Sequence, residues 1–324
     1  MSALLEVRNL AVQYPARSGK GRVHAVNGVD LAIEEGETLG LVGESGCGKS
    51  TLGRAILALT PASAGSVRFR GSEVLAKGGA SQAYRRKAQM VFQDPFAALN
   101  PRMTVYETLA EVLKVHRLAA PAAIREKVIE LMAQAGLSPE LAHRKARTLS
   151  GGQCQRVGIA RALAVGAELI IADEPVSALD VSIQAQILNL FSRLQQERKL
   201  AILFISHDLG VVRYLCRRVA VMYLGRIIEQ GSAEAVFAAP LHPYTQSLAA
   251  AIPKMEADAT VSGAPLGGEP PSPQDIPAGC PFHPRCPKAM DVCRVGVPPP
   301  AYEVEGRQVW CHLYASHHQV QRAV

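Results

Sequence analysis

The chain has 324 residues, 48% of them hydrophobic and 19% charged, a globular balance with apolar material for one large domain or two. Its longest uninterrupted apolar runs, Leu200–Ile205 and Val219–Leu224, are far shorter than the roughly 20 residues a membrane-crossing helix needs, so no transmembrane helix is expected. The formal charge of +7 is uneven: from Pro253 onward there are 6 basic and 7 acidic residues, so the excess lies on the front part, which suits phosphate ligands, anionic lipid or nucleic acid without choosing among them.

The N-terminal stretch "MSALLEVRNLAVQYP" lacks a basic start followed by an apolar run, so no export signal is expected and the protein should stay in the cytoplasm. That compartment is reducing, and an odd count of seven cysteines then points to free thiols or metal ligands rather than disulfides. From Thr38, "TLGLVG" predicts a short strand ending in glycine, and "STLGRAILAL" after it has helical spacing. Further strands are expected at "MVFQ", "ELIIADE" and "LAILFISH", with helices at "VYETLAEVLKVH", "AAIREKVIELMAQAGL" and "IQAQILNLFSRLQQER". In the last of these Ile183, Ile187, Phe191 and Leu194 fall on one helix face. Alternating strands and helices imply an α/β fold with a largely parallel sheet covered on both sides. Gln93 to Ser150 shows two helical patterns and no strand, so a helical subdomain is expected there, at about residues 94–165. Residues 253–279 hold six prolines and four glycines without periodicity and read as a linker between a body, 1–252, and a cysteine-rich tail, 280–324.

Gly43, Glu44, Ser45, Gly46, Cys47, Gly48, Lys49, Ser50 and Thr51 read G-x-x-x-x-G-K-S-T, immediately after a strand and before a helix. Glycines allow backbone N–H groups to turn inward around phosphate oxygens, Lys49 reaches the β- and γ-phosphates, and Ser50 offers a hydroxyl to Mg²⁺. The helix that starts here points its positive end at the same anion. "LIIADE" is an apolar strand ending in two acids: Asp173 is assigned to the metal and Glu174 to polarising an attacking water. "LSGGQ", with Ser150, Gly151, Gly152 and Gln153, opens the helix "QCQRVGIARALAV" and makes a second helix N-terminus suited to phosphate.

With that segment lying between the phosphate loop and the acidic strand, residues 4–252 resemble the nucleotide-binding subunit of an ABC transporter. The resemblance implies an ABC ATPase cassette with a RecA-like P-loop core, an N-terminal β-subdomain and an inserted helical signature subdomain. It implies that two cassettes close head to tail, Ser150–Gln153 of each facing the ATP of the other. In the same family order, Tyr14 matches the aromatic that stacks on adenine, Gln93 the glutamine on Mg²⁺, Asp180 of "SALD" the loop contacting the partner site, and His207 of "FISHD" the histidine on the γ-phosphate. Lys49, Glu174, His207 and the signature glycines are all present, so the resemblance implies ATP hydrolysis. "DPFAALNPRMTV", "HPYTQSLAAAIP" and "GCPFHPRCPKAMDVC" resemble the oligopeptide and dipeptide importer branch, whose solutes are peptides and sometimes nickel or related small solutes. Implied partners are two transmembrane permease subunits, a second ABC ATPase subunit, either a paralogue or the same chain, and an extracytoplasmic solute-binding protein. The implied location is peripheral, on the cytoplasmic face of the inner membrane. Soluble ABC ATPases acting on nucleic acid carry two cassettes in one chain or a long coiled-coil insertion. With neither feature here, no nucleic-acid partner is expected.

Cys280, Cys286, Cys293 and Cys311 are spaced C-x5-C-x6-C-x17-C, while Cys47, Cys154 and Cys216 are scattered and read as free thiols. Four thiolates satisfy either tetrahedral Zn²⁺ or a [4Fe–4S] cube. Zinc sites commonly use close pairs such as C-x2-C, absent here. The loose spacing favours a cluster over zinc or unligated thiols, as does the resemblance to importer subunits, some of which carry iron–sulfur in this tail.

Overall fold

The protein is described by a computed structural model covering residues 3–16, 21–76, 79–250 and 268–320. The expected boundary at 252 and the linker up to residue 267 lie outside the described residues. In chain order the elements are β1 (Leu5–Pro15), β2 (Arg22–Ile33), β3 (Thr38–Val42), α1 (Lys49–Ile56), β4 (Ala64–Phe69), β5 (Ser72–Glu73), α2 (Gln82–Lys87), β6 (Ala88–Val91), α3 (Val105–Val115), α4 (Ile124–Gln134) and α5 (Gly151–Ala164). There follow β7 (Leu169–Asp173), α6 (Val181–Arg198), β8 (Ala201–Ser206), α7 (Leu209–Leu215), β9 (Arg218–Tyr223), β10 (Arg226–Ser232), α8 (Ala233–Ala238), α9 (Pro243–Ala250), β11 (Tyr302–Val304) and β12 (Arg307–Val309). Two compact units result, one mainly from Ala76–Ile205 and the other from Leu5–Ala32, Leu39–Leu75 and the chain from Ser206 onward.

In the first unit β6, β7 and β8 run parallel, in register Ala88↔Leu169 and Leu169↔Ala201. Every residue of β7 and β8 is buried, the consequence of covering both faces of a parallel sheet, and this is why both read as unbroken apolar runs. Residues 94–165 hold α3, α4 and α5 and no named strand. Two of these helices start on reciprocal caps. Thr104 accepts from Glu107 N at 3.1 Å while Glu107 Oε2 accepts from Thr104 N at 2.7 Å. Those bonds to Thr104 hold the Glu107 carboxyl below its ordinary range. On α6 the expected face is buried at Ile187, Phe191 and Leu194, with Phe191 edge-on to Phe204 of β8. Ile183 is only half-buried and lies where a Cβ on Gly152 of α5 would stand.

In the second unit β2, β1, β4 and β5 form a four-stranded sheet in that order, with β1 and β4 antiparallel in register Leu5↔Phe69 and Val7↔Val67. β3 pairs with β9 in parallel, Leu39↔Arg218. Beyond β9 the sheet departs from the expected parallel pattern: β9, β10, β12 and β11 are successively antiparallel. The reason is local. Tyr223 pairs with Arg226 across a two-residue loop, Leu224 (φ 43) and Gly225 (φ 77), and two positive φ values make the hairpin turn whose twist matches the strands. Among the described residues no helix is long and apolar enough to cross a membrane.

The strands between Cys293 and Cys311 are tied to β10 by a buried ion pair. Glu229, fully buried, accepts from Leu241 N at 3.0 Å and His242 N at 2.8 Å and lies 3.7 Å from Arg307. Burial pushes the Glu229 carboxyl up, opposed by those donors and by Arg307. Arg307 in turn donates to the carbonyls of Ala235 and Ala239, at 2.9 and 2.6 Å. Removing one member of such a pair strands the other charge, so R307M is expected to lower unfolding free energy by about 3–5 kcal/mol in a denaturant titration.

Candidate nucleotide site

The phosphate loop leaves β3 and ends on α1. Gly43 has φ 154 and Gly48 has φ 107; a Cβ on the first would collide with the Met222 carbonyl oxygen, and on the second with that of Ala25. Only glycine fits there, and the bare backbone keeps N–H groups available to an anion. Lys49, 4% exposed, donates to the carbonyls of Gly43 at 2.7 Å and Glu44 at 2.9 Å, which curls the loop around its ammonium. Cys47 Sγ is 3.8 Å from that ammonium; burial pushes its thiol up and the Lys49 charge pulls it down, with burial dominating. Ser50 and Thr51 are half-buried in the first turn of α1, which carries no acidic residue to compete with a phosphate. In the same unit His207 is exposed after β8, beside Asp208, which caps α7 by accepting from Gly210 N and Val211 N at 2.8 and 3.2 Å. Tyr14, on β1, is 37% exposed.

Glu44, inside the loop, is held at three points from within this unit. Its N–H donates to Tyr244 Oη at 2.9 Å, its carbonyl accepts from Lys49, and both carboxylate oxygens accept from Arg285, each at 2.9 Å. Arg285 also lies over the Tyr223 ring, 5.9 Å from its centroid. Phe282 packs on Tyr223, Tyr244 and His242 with centroids 5.2, 5.5 and 5.6 Å apart. His242 is held neutral by complete burial, its pKa pushed down to about 3, and its Nδ1 accepts from Tyr244 N at 3.0 Å. The sequence motifs do not point to Tyr244 or Arg285 as site residues; the available signals are the "HPYT" run and an arginine bracketed by two cysteines.

The first unit holds the acidic group. Asp173, 3% exposed, ends β7, and Glu174 follows with φ 46, a left-handed conformation uncommon for a non-glycine residue. Glu174 N donates to Ile205 O at 3.0 Å, its carbonyl accepts from Ser177 Oγ at 3.1 Å, and its Oε2 accepts from Gln93 Nε2 at 3.1 Å. Gln93 and Glu174, assigned separately to metal and water, thus meet directly. Ser150 caps α5, accepting from Gln153 N at 3.3 Å while Gln153 Oε1 accepts from Ser150 N at 3.0 Å, so the signature segment is a closed helix start. Gly151 and Gln153 are half-buried and Gly152 is buried. Asp180 is exposed at the start of α6 and makes no side-chain cap.

The tail thiols share one neighbourhood. Cys280 N donates to Cys293 O at 2.9 Å, and Cys280, Cys286 and Cys293 each raise the pKa of Cys311, though burial is the main cause. Burial likewise pushes Cys280 up to about 11, and Cys311 reaches about 12. Among the described residues, however, no three His, Cys, Asp or Glu side chains are grouped so as to hold a metal ion. Cys280, Cys286, Cys293 and Cys311 therefore do not form the compact ligand set that the zinc alternative expects.

Residues 26–177 match the ABC transporter family model, and residues 228–293 match the oligopeptide/dipeptide transporter C-terminal region. The oligopeptide transport ATP-binding protein AppF of Bacillus subtilis is 47% identical over 321 residues, covering 96% of this chain and 98% of that one. The probable peptide ABC transporter ATP-binding protein y4tS of Sinorhizobium fredii is 48% identical over 319 residues, covering 97% and 90%. Among solved structures, cbiO1 of Clostridium perfringens, part of the ABC transporter complex cbiONQ, aligns with TM-score 0.64 and 30% identity over 74% of this chain and 92% of that one. The dimeric cassette MJ0796 bound to ADP and Pi aligns with TM-score 0.63 and 30% identity over 71% and 98%. The chain belongs to the ATP-binding subunits of the ABC transporter family, in the branch bearing the oligopeptide/dipeptide C-terminal region. It is an ABC-type ATPase with the α/β fold of that cassette.

Because a Cβ at position 48 meets backbone rather than a flexible side chain, G48A is expected to weaken binding of MgATP at least tenfold by equilibrium dialysis, the loop having to open to relieve the clash.

Proposed function

We propose that this chain powers the import of di- or oligopeptides through two separate membrane permease subunits, by ATP-driven head-to-tail closure of two cassettes. The observation that carries the hydrolytic part is Glu174: a carboxylate set by a left-handed backbone at the end of a buried strand, with Gln93 donating to it. In this reading the loop amides and Lys49 bind the phosphates, Glu174 orients and polarises the attacking water, His207 contacts the γ-phosphate, and Tyr14 stacks on adenine. The hydroxyl of Ser50, the amide oxygen of Gln93 and the carboxylate of Asp173 would hold Mg²⁺; all are hard oxygen donors of the kind that ion takes. Magnesium, when bound, neutralises charge on the β- and γ-phosphate oxygens. Ser150 to Gln153 meet the ATP of the opposing cassette with a helix N-terminus, and Asp180 belongs to the loop contacting the partner site.

The helical subdomain at 94–165 is the surface proposed to meet the permeases, a solute-binding protein feeds the system from outside, and the location is peripheral, on the cytoplasmic side of the membrane. The peptide solute is supported by the likeness to AppF, an oligopeptide transport protein, and y4tS, a probable peptide transporter subunit, and by the match over residues 228–293.

The four tail thiols are proposed as ligands of one [4Fe–4S] cluster. A tetrahedral zinc with Zn–S near 2.3 Å brings its sulfurs to about 3.8 Å of one another, whereas a cube holds one sulfur at each of four irons and spreads them further. That Cys280, Cys286 and Cys293 each act on the charge of Cys311, and that Cys280 N donates to Cys293 O at 2.9 Å, supports one group shared by the four thiols. Protein purified without oxygen should then be brown, with about four irons per chain; colourless protein carrying one zinc would overturn this assignment and leave the ATPase reading in place.

E174Q is expected to bind ATP normally and to lose more than about 99% of hydrolysis, because an amide does not polarise water as a carboxylate does. ATP-bound dimers should accumulate and be visible by size exclusion. Wild-type turnover in the purified E174Q transporter would overturn the role of Glu174.

A further inference from the structure

We propose that Arg285, delivered from the cysteine-rich tail, is a positioning residue of the ATP site: it neutralises Glu44 inside the phosphate loop and fixes the loop's first turn. Glu44 is the second residue of the loop, and its carboxylate stands in the segment that must accept a polyanion. An unpaired carboxylate there opposes nucleotide binding by like-charge repulsion. Arg285 removes that opposition with two charge-assisted bonds, one to each oxygen, both at 2.9 Å, from a side chain only 5% exposed.

The guanidinium is itself held in place. Arg285 N donates to Phe282 O at 3.0 Å, in a turn where His283 N donates to Cys280 O at 3.0 Å and Cys286 N to His283 O at 3.3 Å. Phe282, 1% exposed, seats that turn on Tyr223 and Tyr244, and Tyr244 is the residue whose hydroxyl accepts the Glu44 N–H. Side chain and backbone of Glu44 are thus fixed by one aromatic cluster, all within the second unit. The carbonyl of the same residue accepts from Lys49, so a shift of Glu44 reaches the lysine that binds phosphate. The bidentate geometry demands arginine, since a lysine would supply charge without the fork. This role does not depend on what the tail thiols hold. It does rest on the loop being the ATP site.

The test is MgATP affinity of the full chain by equilibrium dialysis, for the wild type, R285A, R285K and E44Q/R285A, each at about 0.05 and 0.5 M salt. R285A should raise Kd about tenfold at low salt, the scale of losing a charge-assisted pair beside a bound anion. That deficit should shrink at high salt, where the exposed side of Glu44 is screened. E44Q/R285A, which removes both charges, should recover most of the lost affinity; a purely structural role for Arg285 gives neither the salt effect nor the recovery. R285K should fall between wild type and R285A, and it decides the matter if R285A does not fold. Wild-type Kd in R285A or R285K, or a weakened R285A that E44Q fails to relieve, overturns the proposal. No measurable ATP binding by the wild type would instead overturn the assignment of the loop.

Discussion

Backbone N–H groups grip a phosphate only where no side chain stands in front of them, and the loop from Gly43 to Ser50 is built around that constraint. Its two crowded glycines lie against the carbonyl oxygens of Met222 and Ala25, so the neighbouring strands leave space for backbone and for nothing larger. Lys49 then fills the inside of the curl, its ammonium on the carbonyls of Gly43 and Glu44. A buried ammonium with two neutral acceptors is only partly compensated and retains attraction for an anion. The loop is therefore charged toward its ligand, with its curl closed on Lys49.

A loop that binds through backbone has little means of its own to hold that backbone still, and here the restraint arrives from far along the chain. Tyr244 and Arg285 are 200 and 241 residues from Glu44, yet they take its N–H and both carboxylate oxygens. The aromatic rings of Tyr223, Tyr244 and Phe282 supply the apolar mass behind these polar contacts, with edge-on and tilted packing. Burial of His242 among them is consistent with a neutral ring acting as an acceptor for the Tyr244 backbone. The segment after the cassette core thus contributes to the geometry of the loop that begins it.

This explains what the sequence made legible. Phosphate loop, acidic strand end and signature are each written on consecutive residues, so short-range spacing is enough to point to these segments; the cap pairs Thr104 with Glu107 and Ser150 with Gln153 are equally local. The strands β7 and β8 were readable because burial on both faces leaves only apolar residues. The antiparallel turn of the sheet after β9 was not, since Leu224–Gly225 lacks the asparagine or aspartate that usually announces such a hairpin. Nor was the left-handed Glu174, whose conformation is imposed by its bonds to Ile205 and Ser177. The Glu44–Arg285 pair is a contact across 241 residues, and no short-range pattern encodes it.

The tail is fastened twice, by different physics. Its last strands are held by pairing of β12 with β10, by the buried Glu229–Arg307 pair, and by a small apolar core of Leu241, Tyr302, Val304, Val309 and Cys311. None of these needs a ligand on the thiols. The turn from Cys280 to Cys286 has no such sheet partner; it relies on Phe282, on Arg285, and on the backbone bond from Cys280 to Cys293. Cys311 sits in the apolar core and Cys280 in the turn, so a group bound by the four thiols would join the well-anchored part of the tail to the part that holds Glu44. Its mechanical effect would fall on the turn, adding to the hold that Phe282 and Arg285 already provide there, rather than on attachment of the tail as a whole.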